Sequence, residues 1–221
     1  MARTMPRRDD GPVDEREDAE RGEPGRAVAE AKAALRARLS AARAVRDADT
    51  RAEDAQSLAA AVLALPEVRA ARTVTAYVAR SSEPGTGPLL AALVQDGVRV
   101  LLPVLTPGLV LDWADYRGPG ELIPSALPGN GSLLEPTGAR LGPDAVAAVD
   151  VVLAPGLAVG PDGTRMGFGG GCYDRALALV RPDLPVVALL FDDELIDEVP
   201  AEAHDRRVSA VVTPRRVVRF P

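Results

Sequence analysis

Short apolar runs separated by helix-forming stretches constrain this chain most. Residues 73–79, 98–103, 150–154, 185–190 and 208–212 are each a few positions of nearly continuous Val, Leu and Ala. Strands of that composition are buried on both faces, which demands a mainly parallel sheet covered by helices on each side. Between them, residues 88–95 read as a helix whose proline suits the first turn, and residues 173–180 as another. Residues 109–116 read as a strand of a side hairpin, followed by a Gly/Pro-rich excursion through Asn130. The expected fold class is a three-layer α/β/α domain. Two helices precede it: residues 27–46, rich in strong helix formers, and a second from near Asp49 to Leu65 that Pro66 closes. Residues 1–26 mix Arg, Asp, Glu, Gly and Pro with almost nothing apolar and are expected to form a disordered tail. That leaves 27–221 as a single α/β domain.

Composition sets limits on function. A hydrophobic fraction of 47% is ample for one core, but only 3% is aromatic, so Val, Leu and Ala must fill it. A formal net charge of −6 argues against a general nucleic-acid binder, although local basic clusters on an acidic protein still hold anions. No apolar run approaches the ~20 residues that span a bilayer, and the start lacks the apolar core of a secretory signal. A single cysteine excludes an internal disulfide. A cytoplasmic protein is expected, with no membrane or nucleic-acid partner, as a monomer or dimer.

The segment with most chemistry is Thr164-Arg165-Met166-Gly167-Phe168-Gly169-Gly170-Gly171-Cys172-Tyr173-Asp174-Arg175. It follows the 150–154 run and leads into a helix. Glycines there let backbone N–H groups approach a ligand without a Cβ in the way, and a helix N-terminus adds partial positive charge. Arg165 and Arg175 carry full charges, and Asp174 suits a hard cation. A polyphosphate with its metal is the natural ligand; a purely structural strand–helix turn is the plain alternative. The loop has no Gly-Lys-Ser/Thr and is therefore not a Walker A motif, and Cys172 stands where a dinucleotide fingerprint needs its third glycine. Lys32 is the chain's only lysine, four residues before Arg36 on one helix face. A compact ammonium chosen in an otherwise arginine-only chain suggests contact with a phosphate oxygen, the alternative being a solvated face.

Several linked pieces resemble the 5-formyltetrahydrofolate cyclo-ligase family. Pro155-Gly156-Leu157 followed by Asp162-x-x-Arg165-Met166-Gly167 through Tyr173-Asp174-Arg175 matches its glycine loop. Lys32-x-x-Leu35-Arg36, with Arg43 beyond, is similar to its N-terminal basic helix. Glu83-Pro84-Gly85-Thr86 is similar to its Glu-x-x-Thr turn. Leu134-Glu135-Pro136 and the C-terminal Phe191-Asp192, Val199-Pro200, His204-Asp205 and Val211–Pro214 pieces keep the order, so the resemblance spans about residues 30 to 215.

That resemblance implies an ATP- and Mg2+-dependent cyclisation of 5-formyltetrahydrofolate to 5,10-methenyltetrahydrofolate. It implies phosphate contacts from Lys32, Arg36 and Arg165, with Met166, Gly167, Phe168, Gly169, Gly170, Gly171, Cys172 and Tyr173 completing the ATP site. Val78 and Glu83 would contact the folate, and Asp174 with Asp205 would hold Mg2+. No classical acid/base residue is implied. Trp113 and Tyr116 are either stacking surfaces for the aminobenzoyl part or core aromatics, and the acidic run Asp192-Asp193-Glu194 is expected to be a solvated turn. Cys172 replaces a tyrosine of the family pattern, Met166 a leucine, and Pro84 stiffens the Glu83 turn. Two other functions stay open on the residues: a non-catalytic nucleotide-binding regulator, and a related α/β enzyme acting on another phosphorylated or acyl substrate.

Overall fold

The computed structural model describes residues 23–130, 132–202 and 205–221. Of the segment expected as a tail, residues 1–22 lie outside the described residues, and Glu23 already begins the first helix. The helices are α1 (Glu23–Ala44), α2 (Ala48–Leu63), α3 (Pro66–Ala70), α4 (Gly87–Gln95) and α5 (Cys172–Leu177). The main-sheet strands are β1 (Thr73–Thr75), β2 (Arg99–Thr106), β3 (Val110–Tyr116), β6 (Val151–Pro155), β9 (Val186–Leu189), β10 (Ala210–Val212) and β11 (Val217–Arg219). Two small hairpins complete the set: β4 (Leu122–Pro124) with β5 (Leu134–Pro136), and β7 (Ala158–Val159) with β8 (Arg165–Met166).

The seven strands lie in the order β11-β10-β9-β6-β1-β2-β3. All neighbouring pairs from β10 to β2 are parallel, and each edge strand is antiparallel to its neighbour. Side-chain alternation divides the sheet residues between two cores. Val74, Val100, Leu102, Val151, Leu153 and Val187 pack under Leu58 and Val62 of α2 and Leu89 and Leu93 of α4. Leu101, Val152, Ala154, Val186 and Ala188 face the other way, against Ala176 and Leu177 of α5 and Val146 of a 3-10 turn. Full burial of each such Leu or Val contributes about 1.5–3 kcal/mol, which is why apolar runs this short are sufficient.

The sequence expectations hold for the central strands and need correction at their margins. Residues 109–116 do not form a side hairpin; β3 pairs with β2 over seven residues and is an edge strand of the main sheet. The run 73–79 leaves the ladder after Thr75, because from Tyr77 the chain turns toward the Glu83 loop. Pro66 closes α2 but also opens α3, where its missing N–H has no intrahelical use. The chain starts its parallel sheet at β1, steps one way to β2 and later the other way from β6 to β9 and β10. A crevice therefore opens between the carboxyl ends of β1 and β6, the place where ligands of open α/β sheets bind.

Candidate active site

Two connections leave the sheet on either side of that crevice. After β1 the chain runs through Tyr77, Val78 and Glu83 to α4. The Thr86 hydroxyl donates to the Tyr77 carbonyl at 2.7 Å and accepts from the Ala79 N–H at 3.0 Å, which folds the loop back on itself. Gly85 is required there by packing, since a Cβ would stand 2.8 Å from the Ala55 Cβ on α2. After β6 the β7–β8 hairpin places Arg165 and delivers the glycine loop to α5. Gly169 (φ 106°) and Gly171 (φ 62°) take backbone conformations that side chains disfavour, and Gly171 caps α5.

Helix α1 closes the crevice from above. Its inward stripe is Lys32, Leu35, Arg36, Leu39 and Arg43, so the buried side of this helix is largely cationic. Leu39 packs on Leu157, Ala158 and Met166 of the hairpin. Arg43 is fully buried: its Nε and Nη2 donate to the two Glu194 carboxylate oxygens at 2.6 and 2.7 Å, and Nη2 also donates to the Gly156 carbonyl at 2.6 Å. The guanidinium lies 5.6 Å from the Phe168 ring and 5.7 Å from Phe191. The acidic run is therefore not a solvated turn. Glu194 is buried to pair Arg43; burial pushes its carboxyl up, with the Arg43 hydrogen bonds pulling against it.

The result is one cavity of about 300 Å3. Every residue expected for the site lines it: Lys32, Arg36, Val78, Glu83, Arg165, Met166, Gly167, Phe168, Gly169, Gly170, Gly171, Cys172, Tyr173, Asp174 and Asp205. Arg36 Nε donates to the Gly167 carbonyl at 3.0 Å, and its guanidinium passes over Gly169, where a Cβ would come within 3.4 Å. Lys32, only 4% exposed, donates to Glu202 Oε2 at 2.8 Å and Asp205 Oδ2 at 2.6 Å. Arg165 Nη2 donates to Asp174 Oδ1 at 2.6 Å, and the Arg206 N–H reaches the same oxygen at 3.5 Å, which brings the Asp205 segment beside Asp174. His204 lies outside the described residues.

On the opposite wall, Glu83 is buried and Oε2 accepts from the Arg80 N–H at 2.7 Å. Burial raises its carboxyl above the usual range; that N–H and the charges of Arg80 and Arg43 only partly offset the rise. Burial likewise raises the Cys172 thiol, so its thiolate is disfavoured and a nucleophilic role has no support. Arg175 does not line the cavity; its Nη2 is spent on the Leu109 and Gly170 carbonyls at 2.7 and 2.8 Å.

Trp113 and Tyr116 are core residues rather than stacking surfaces. Trp113 is fully buried, edge-on to Tyr173 at 6.5 Å, and Tyr116 faces the other core. Glu202, Glu135 and Tyr77 line the cavity without having been singled out as site residues by sequence reasoning. Signals existed for two of them: Glu135 stands in the Leu134-Glu135-Pro136 piece, and Glu202 lies three residues before Asp205, joined to it by the Glu202 N–H donating to Asp205 Oδ2 at 2.7 Å.

Comparison with known proteins agrees with this geometry. The family model described as the 5-formyltetrahydrofolate cyclo-ligase family matches residues 28–214. A 5-formyltetrahydrofolate cyclo-ligase of Mycolicibacterium smegmatis is 43% identical over 150 residues, covering 66% of this chain and 75% of that protein. One from Escherichia coli K12 is 32% identical over 169 residues, covering 75% of this chain and 90% of its own. The solved 5,10-methenyltetrahydrofolate synthetase of Aquifex aeolicus superposes with a TM-score of 0.72 at 25% identity, covering 86% of this chain and 92% of that one. With the matched span running from the cationic helix through the glycine loop to the last parallel strand, this chain belongs to the 5-formyltetrahydrofolate cyclo-ligase family.

Proposed function

We propose that this protein uses ATP, with Mg2+, to cyclise 5-formyltetrahydrofolate to 5,10-methenyltetrahydrofolate, releasing ADP and phosphate. The observation that carries the reading is the shared cavity: a glycine loop with three cations on one wall faces a buried carboxylate on the other. Exposed backbone at Gly169 and Gly170 receives the polyphosphate, and Arg36 and Arg165 supply charge beside it. Lys32 uses two of its three donors on Glu202 and Asp205 and keeps the third for a phosphate oxygen. Glu83 and Val78 take the pterin, whose adjacent N–H groups suit one carboxylate.

The reaction then needs positioning more than acid–base chemistry. The formyl oxygen attacks the γ-phosphorus, and the bond to ADP breaks. N10 adds to the activated carbon, its proton passes to solvent, and phosphate leaves with the former formyl oxygen. The residues fit a divalent cation carried in with the nucleotide. Asp174 and Asp205 line the same wall, and no group of three or more His, Cys, Asp or Glu able to hold a metal ion occurs among the described residues. Mg2+ ordinarily takes one or two carboxylates and completes its shell with phosphate oxygens and water. When bound it neutralises charge on the phosphates. A cytoplasmic location is part of this reading; no described helix is long and apolar enough to cross a membrane.

The test is absorbance of methenyltetrahydrofolate formed from 5-formyltetrahydrofolate, with ATP and then Mg2+ omitted in turn. Product that requires both supports the reading. Product without ATP, or none under any condition, sinks it.

A further inference from the structure

Beneath the folate wall of the cavity lies a hydroxyl that the scheme above does not use. Tyr77 is 4% exposed and lines the cavity beside Val78 and Glu83, yet its Oη has no hydrogen-bond partner among the described residues. Buried hydroxyls are nearly always paired, and an orphan at a ligand cavity points to a partner that arrives from outside. The backbone at this position is held, because the Tyr77 carbonyl accepts the Thr86 hydroxyl and the loop closes at Ala79. Burial and then the negative charge of Glu83 push the Tyr77 phenol well above its ordinary range, with Arg43 opposing. The group is thus a buried, protonated donor in a cavity that Glu83 also lines.

A donor next to a carboxylate is the complement of a particular chemical edge. A reduced pterin presents an amino N–H, a ring N–H and a carbonyl oxygen in a row. One carboxylate accepts from the two N–H groups, and the carbonyl then needs a donor at its side. We propose that Tyr77 is a substrate-binding residue whose phenol donates to the pterin carbonyl while Glu83 accepts from the adjacent N–H groups. The inference rests on the cyclo-ligase reading and adds to it the residue that reads the carbonyl.

Tyr77→Phe tests this, since it removes one oxygen and keeps the ring. KM for 5-formyltetrahydrofolate should rise roughly tenfold, the effect of leaving one carbonyl unpaired, with kcat and the KM for ATP near wild type. Calorimetric binding of 5-formyltetrahydrofolate without ATP should weaken by the same factor. The unliganded variant should melt no lower than wild type, because the hydroxyl it loses was unpaired. Unchanged folate affinity in an active, folded Tyr77→Phe enzyme would overturn the proposal. So would an equal rise in the KM for ATP, which would move the hydroxyl to the nucleotide. If the wild type itself binds no 5-formyltetrahydrofolate, the cyclo-ligase reading has failed and this inference goes with it.

Discussion

Replacing Arg43 by Met should be among the most damaging single changes outside the sheet. The Arg43 side chain is 0% exposed and that of Glu194 2%. Methionine keeps most of the aliphatic volume but leaves the Glu194 carboxylate with a single donor, the Phe191 N–H at 2.9 Å. Breaking one side of a buried pair costs about 3–5 kcal/mol, since the remaining charge has lost its counter-charge. For a protein of this length each kcal/mol lowers Tm by about 2–4 °C, so a fall of roughly 6–20 °C is expected. The loss should depend on pH. Once Arg43 is gone, burial and the Asp193 charge act on Glu194 against the Phe191 N–H alone, and the group relieves its penalty by taking a proton. Urea denaturation followed by ellipticity should therefore show a larger deficit at pH 8 than at pH 5. The double variant Arg43→Met/Glu194→Gln should recover much of it, because no charge is then stranded. A deficit below about 1 kcal/mol at pH 8, or a double variant no better than the single one, would refute this account.

Two further outcomes are expected. Gly85→Ala should cost about 1–3 kcal/mol through overpacking against Ala55, and Ala55→Gly in the same chain should recover part of it; chemical denaturation of the two singles and the double measures the coupling, and independent effects would show that the loop moves aside. Glu83 has a folded-state pKa above its unfolded value, so its protonation favours folding below about pH 4 and that contribution is lost as pH rises through the raised value. Glu83→Gln should accordingly match wild type in acid and be the more stable at pH 8, while binding of 5-formyltetrahydrofolate is lost; a variant less stable than wild type at pH 8 contradicts the burial argument.

The sheet and the glycine loop were legible because their signals are local. A strand buried on both faces must be a run of Val, Leu and Ala, and a loop that presents backbone to a ligand must be rich in glycine. Helix α1 was legible as a helix, and Lys32 with Arg36 as one working face of it, but the protein partners that bury that face were not. Pattern rules assign cations to solvent, whereas here Lys32, Arg36 and Arg43 form the buried stripe, each matched by a group more than a hundred residues away. Glu194 hid for the same reason: within Asp192-Asp193-Glu194 nothing distinguishes the one carboxylate that meets Arg43. Alternation along a regular strand would turn Tyr77 away from Val78. The ladder ends before either residue, and both line the cavity.

The single lysine has a consequence for handling and for kinetics. Lys32 sits mid-helix in α1 with its ammonium enclosed by Glu202 and Asp205. A lysine-specific protease therefore has one bond to cut in the entire chain, and that bond is masked while α1 is seated. The rate of that one cleavage counts how often the cationic helix lifts from the crevice. Any ligand that bridges α1 to the glycine loop must slow the clock.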